Sequence, residues 1–173
     1  MNTEGINETN QYLTFKLDQE MFAINVVQVK EVLDISVITR VPRAPEFMRG
    51  VINVRGSVVP VMDLKMKLGM KMSEKTINSR IVVIELSIDG DRIVLGALAD
   101  SVHDVMDIET ENIEAPPGIG ARWKTEVIRG IGKSDGDFII ILDIDRIVSA
   151  SELTIIQEAG NIKDQPKDEG SAA

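Results

Sequence analysis

The segment RGVINVRGSVVPVMDL, from Arg49 to Leu64, occurs twice in this chain in diverged form. Its second copy, RGIGKSDGDFIIILDI at 129–144, aligns without a gap at an offset of 80 residues. An apolar run precedes an aspartate in both copies, and the identical pairs are Arg49/Arg129, Gly50/Gly130, Gly56/Gly136 and Asp63/Asp143. A repeat of this length predicts one supersecondary unit that is used twice.

A second pair of segments strengthens this interpretation. DQEMFAINVVQVKEVLDI at 18–35 aligns with DRIVLGALADSVHDVMDI at 91–108, and Glu31 falls opposite Asp104. Two segments rich in Val and Ile can resemble each other by chance. Two such pairs in the same order favour a chain built from two similar halves.

The composition predicts an all-β protein with an aliphatic core. Among 173 residues there are one Trp, one Tyr and four Phe, and there is no Cys. Val and Ile are abundant, and β-branched side chains suit a pleated, half-buried surface. The length allows one sizeable domain, or two small ones, without disulfides.

Alternating apolar residues and turn signals predict about five strands in each half. We expect a short helix or an irregular passage at 26–33 and a third strand at 35–41 that ends at Pro42. A Ser149–Glu152 capping box predicts a C-terminal helix. Residues 1–10 should be flexible, and residues 158–173 should form a disordered acidic tail.

Charge and hydropathy exclude two classes of partner. The net charge of −9 argues against non-specific nucleic-acid binding, which needs a basic surface. No apolar run approaches the length of about 18 residues that a membrane span requires, so we expect no membrane insertion.

The sequence contains no pattern typical of a catalytic, cofactor or metal site. His103 is the single histidine, and one His without Cys cannot complete a zinc site. The segment Gly118-Ile119-Gly120 lacks the third glycine of a dinucleotide-binding loop. Asp135 and Asp137 could contribute to a calcium site, but turn residues explain them more simply. We therefore expect neither enzymatic activity nor a cofactor.

The first copy of the repeat carries a pattern that identifies a family. The pattern G-x-x-N-x-R-G-x-x-x-P-x-x-D is met by Gly50, Asn53, Arg55, Gly56, Pro60 and Asp63. Together with VPRAPEFMRG at 41–50 and DSVHDVMDI at 100–108, it resembles the CheW-like domain family of bacterial chemotaxis. The resemblance extends from about Gln11 to about Gln157.

The resemblance implies an all-β fold with minor helices. Two five-stranded SH3-like β-barrels would lie in a pseudo-twofold arrangement, share an apolar core and be followed by a C-terminal helix. A single domain would cover residues 11–157, with the boundary between its two subdomains near 65–80.

The resemblance also implies an adaptor that performs no chemical step. Such a protein couples the cytoplasmic tips of chemoreceptors to the regulatory domain of the histidine kinase CheA. It would work in the cytoplasm, recruited to membrane receptor arrays. The receptor-binding residues would be Val29, Glu31 and Arg55, and Ile119 would contact the kinase.

Several alternatives remain at the level of the sequence. Taken without the family, Arg55 is an ordinary surface turn residue and Val29 a core residue. The protein could couple a chemosensory array that does not serve chemotaxis, or it could be a ligand-binding double barrel. Asn53, Arg55 and Pro60 are replaced by Lys133, Asp135 and Ile140 in the second copy, which favours the first copy as the functional one.

Overall fold

The computed structural model describes residues 10–115, 127–134 and 136–160. Within these ranges the chain forms eleven β-strands and few helices. The strands are β1 Gln11–Leu17, β2 Glu20–Asn25, β3 Val29–Asp34, β4 Met48–Val54, β5 Ser57–Asp63, β6 Arg80–Ile88, β7 Asp91–Ala99, β8 Ser101–Asp107, β9 Ile113–Glu114, β10 Ile128–Ser134 and β11 Asp137–Leu142.

The strands form two mixed sheets that curl like half-barrels. The five-stranded sheet has the order β3-β6-β7-β5-β4, and the six-stranded sheet has the order β8-β1-β2-β11-β10-β9. Neighbouring strands are antiparallel except for the pairs β5–β7 and β2–β11, which are parallel. The predicted fold class is confirmed, and the short strand β9 adds a sixth member to one sheet.

Each sheet contains strands from both halves of the sequence. The middle of the chain, β3 to β7, forms one sheet, while β1 and β2 join β8 to β11 in the other. The segment 65–80 connects β5 to β6 within the five-stranded sheet. It therefore separates the two copies in the sequence without separating the two sheets.

Backbone pairing repeats the sequence duplication. Val61 pairs with Gly96 in one parallel ladder, and the aligned residues Ile141 and Ala23 pair in the other. The amide N of Asp63 donates to the carbonyl O of Phe47 at 2.7 Å. The aligned amide of Asp143 donates to Val127 at 2.8 Å. The two halves therefore share one topology and one hydrogen-bonding pattern.

Gly50 and Gly130 allow a neighbouring backbone to approach closely. A Cβ added to Gly50, whose φ is +143°, would lie 2.2 Å from the carbonyl O of Thr39. A Cβ at Gly130 would lie 2.8 Å from the carbonyl O of Glu114. Both glycines adjoin a register shift in their hairpins, where a β-bulge bends the strand.

The predicted third strand is displaced. The strand follows a 3-10 turn at Val26–Gln28 and occupies Val29–Asp34, whereas 35–41 contains only an isolated bridge between Thr39 and Val51. Asn25 caps the turn because its Oδ1 accepts from the amide of Val27 at 2.9 Å. This side-chain cap turns the chain early, so that β3 can pair with β6 of the other half.

The two half-barrels share one main apolar core. Leu17 and Phe22 come from the six-stranded sheet, and Leu86 and Leu95 from the five-stranded sheet; all four are almost fully buried in it. Smaller clusters fill the curl of each sheet. Burying a large aliphatic or aromatic side chain contributes about 2 kcal/mol, so this shared core holds the sheets together.

A buried lysine joins three corners of the fold. Lys65, with only 5% of its surface exposed, contacts Asp18 at 2.6 Å and Asp100 at 3.2 Å. Burial would lower the pKa of Lys65, but hydrogen bonds and charges from these two carboxylates raise it. The aligned residue Asp145 accepts at 2.9 Å from both Gln28 and the amide of Ser87. The aligned positions 65 and 145 therefore carry side chains of opposite charge, and each side chain binds the chain segments around it.

The C-terminal helix begins at the predicted capping box and continues past residue 157. It spans Ala150–Gly160, and Ser149 and Glu152 exchange hydrogen bonds at 2.9 and 3.2 Å. Glu152 also accepts from Lys67 Nζ at 2.6 Å, which ties the helix to the first half. No helix among the described residues is long and apolar enough to span a membrane.

Gly50→Ala should lower the free energy of unfolding by about 3 kcal/mol, because backbone strain adds to overpacking against Thr39. Gly90→Ala is the matched control, since Gly90 also has a positive φ but has no atom within 4 Å of an added Cβ. Its cost should be about 1 kcal/mol. Urea denaturation measures both, and equal losses would contradict the close-approach argument.

Docking of the C-terminal helix should weaken at acid pH. Burial would raise the pKa of Glu152, but hydrogen bonds from Lys67 and Ser149 outweigh burial and lower it. The added stability is therefore fully present above the ordinary glutamate pKa of about 4.3 and is lost as pH falls through the lowered value. Wild type should be more stable than Glu152→Gln at neutral pH, and the difference should disappear in acid. A difference independent of pH would refute this linkage.

Candidate partner-binding site

The β4–β5 hairpin places Arg55 at the first position of a two-residue turn. The φ angles of Arg55 and Gly56, +49° and +88°, match a type I′ turn, which suits the twist of a hairpin. A residue other than glycine in this region costs about 1 kcal/mol or more. The Oδ1 of Asn53 accepts a hydrogen bond from the amide of Gly56 at 2.8 Å and so closes the turn.

Arg55 forms a two-pronged ion pair with Glu31. The Arg55 Nη1 donates to Glu31 Oε1 at 3.1 Å, and Nη2 donates to Oε2. The hydrogen bond and the charge of Glu31 raise the pKa of Arg55. Because 74% of the Arg55 side chain is exposed, its remaining N–H groups face solvent. An acceptor on a partner can therefore bind Arg55 without displacing Glu31.

β3 and β4 are the two opposite edges of the five-stranded sheet, and the curl of this sheet brings Glu31 of β3 to the tip of the β4–β5 hairpin. β3 pairs with β6 on one side, and its register shifts between Val29 and Glu31. Val29 is partly buried and packs against the main core. The structure thus brings Glu31 and Arg55 into contact, while Val29 supports the same strand from the core side.

Two valines close to Glu31 in the sequence also have exposed side chains. Val27 is 60% exposed and Val32 is 39% exposed. Sequence analysis did not select these two valines, although the alternation along β3 would place Val32 opposite the residues that face the core.

The second copy does not repeat this ion pair. Asp104 occupies the position of Glu31, and the Thr14 hydroxyl donates to its carbonyl at 2.8 Å. Asp135, which aligns with Arg55, lies outside the described residues, as does Ile119. An acidic residue at both positions cannot form the pair seen in the first half.

No group of three or more potential metal ligands occurs in the part of the chain that the structure describes. His103 is exposed on β8, where its Nε2 shares a hydrogen bond of 2.9 Å with Ser101 Oγ. Neither observation adds a chemical group to the Arg55–Glu31 surface. The interactions available there are those of recognition: two charges and the polar groups of the backbone.

Comparison with known proteins places most of the chain in one family. The family model described as "CheW-like domain" matches residues 11–152. The chain is 30% identical over 146 residues to the Chemotaxis protein CheW of Klebsiella aerogenes, covering 84% of this chain and 86% of that protein. It is 34% identical over 145 residues to the Chemotaxis protein CheW of Thermotoga maritima, covering 84% and 90%.

A solved structure agrees with these sequence matches. The scaffolding protein TtCheW from Thermoanaerobacter tengcongensis superposes with a TM-score of 0.73 at 33% identity, covering 83% of this chain and 90% of that one. Family, relatives and fold therefore agree. This chain belongs to the CheW-like domain family.

Proposed function

We propose that this protein is a non-catalytic adaptor that couples the cytoplasmic tips of chemoreceptors to the histidine kinase CheA in chemotaxis. Relatives that match most of its length are named chemotaxis proteins, and the similar solved structure is called a scaffolding protein. An adaptor needs binding surfaces and no reaction centre. It would work in the cytoplasm at receptor arrays.

The receptor-binding surface is proposed to be Glu31 and Arg55, supported by Val29. The observation that carries this proposal is the exposed ion pair on a strained turn, which only the first copy can form. Strained residues persist where the surrounding structure fixes them, and they concentrate at functional sites. A guanidinium held at one end by Glu31 offers a partner pre-oriented donors at little entropic cost.

The kinase is proposed to bind elsewhere, through the segment that contains Ile119. That segment joins β9 to β10 in the six-stranded sheet, whereas Arg55 lies in the five-stranded sheet. Contacts on different sheets would let one small protein hold a receptor and a kinase at once. This arrangement predicts that mutations at one surface leave binding at the other unchanged.

Arg55→Glu should weaken binding to a receptor cytoplasmic fragment by about 30-fold or more, as expected for a buried interface arginine. The variant places two carboxylates together and removes the donors offered to the receptor. Binding to the CheA regulatory domain should be unchanged. Isothermal titration calorimetry with each fragment measures both affinities.

Arg92→Glu provides the matched control, since Arg92 is also highly exposed and its nearest carboxylate oxygen, on Glu85, is 3.8 Å away. This control should bind the receptor fragment like wild type. Normal receptor binding by Arg55→Glu would refute the proposed site. Equal loss of both partners would indicate damage to the fold, which urea denaturation would reveal.

A further inference from the structure

Arg55 occupies a turn position that this chain otherwise gives to aspartate. Among the described two-residue hairpin turns, Asp18 and Asp89 hold the equivalent place with φ values of +57° and +51°. Aspartate tolerates a positive φ better than arginine does, because its short polar side chain can bond to the nearby backbone. Arg55 lacks that local stabilisation, so the turn requires another source of it.

Asn53 supplies this stabilisation from outside the turn. Its side chain is exposed, and its Oδ1 accepts from the amide of Gly56 at 2.8 Å, spanning Arg55. In the second copy Lys133 replaces Asn53, and an Asp-Gly pair replaces Arg55-Gly56. The acceptor side chain therefore occurs in the copy whose turn begins with arginine, and a lysine, which has no acceptor, occurs where the turn begins with aspartate.

We propose that Asn53 is a positioning residue that holds the β4–β5 turn in the conformation that aims the Arg55 guanidinium at Glu31 and at the receptor. The receptor part of this inference rests on the proposed function, whereas the positioning of Arg55 does not. The hydrogen bond formed by the Asn53 Oδ1 is with the amide of Gly56. Asn53 acts through the backbone of Gly56 and the φ angle of Arg55.

The first test observes Arg55 directly, without any partner. In wild type, the two-pronged pair should restrict rotation of the guanidinium group, and the ¹⁵N spectrum of the arginine side chains should show this for Arg55. Asn53→Ala removes the acceptor and should restore fast rotation. Asn53→Asp keeps an acceptor oxygen and should preserve the restricted signal. Urea denaturation should show that both variants are folded.

The second test measures binding of a receptor cytoplasmic fragment. Asn53→Ala should weaken binding by about fivefold, which is the size expected for one hydrogen bond. Asn53→Asp should restore it. In an Arg55→Ala background, Asn53→Ala should have no further effect on affinity, because the group that Asn53 positions is gone. A purely structural role would give the same loss in both backgrounds.

The outcomes separate the two proposals. An unchanged Arg55 signal in Asn53→Ala overturns the positioning role. A changed signal with normal binding by Asn53→Ala, while Arg55→Ala binds weakly, overturns the receptor part of the inference and leaves the receptor site standing. Normal receptor binding by Arg55→Ala overturns the receptor site, and with it the receptor part of the inference.

Discussion

The fold depends on two places where backbones meet with no room for a side chain. The carbonyl group of Thr39 packs against Gly50 of β4, and the carbonyl group of Glu114 packs against Gly130 of β10. Each contact fastens the segment that precedes a hairpin onto that hairpin, and the adjacent bulge bends the strand so that the sheet can curl. Gly50 and Gly130 thus play the same part in the two half-barrels, which explains why both copies of the repeat have glycine at this position.

Much of this architecture could be predicted from local sequence signals. The repeat predicted two equivalent units, and the Ser149–Glu152 capping box predicted the start of the last helix, as confirmed by their hydrogen bonds. The third strand was placed wrongly because its position depends on a side-chain cap at Asn25 and on pairing with β6. Neither is visible in hydrophobic alternation. Which strands belong to which sheet depends on long-range pairing and could not be predicted either.

The candidate site shows a similar division. The differences between the two copies singled out Arg55, and the structure places its guanidinium group in contact with Glu31. The exposure of Val27 and Val32 and the cap from Asn53 were not predicted, because they depend on how β3 and the turn are oriented in three dimensions. In a duplicated fold, the positions where the two copies differ are therefore candidates for functional residues. Which other side chains lie near them depends on the packing and cannot be read from the sequence.

The exchange of strands between halves has a consequence for how the protein is made. Residues 29–99 contain every strand of the five-stranded sheet, so this sheet can pair as soon as the middle of the chain has been synthesised. The other sheet must wait, because β2 pairs with β11, the last strand among the described residues. Until then β1 and β2 would expose apolar side chains and open edges, which are prone to aggregation. Late closure of this sheet through sequence-distant contacts is therefore expected to limit the folding rate.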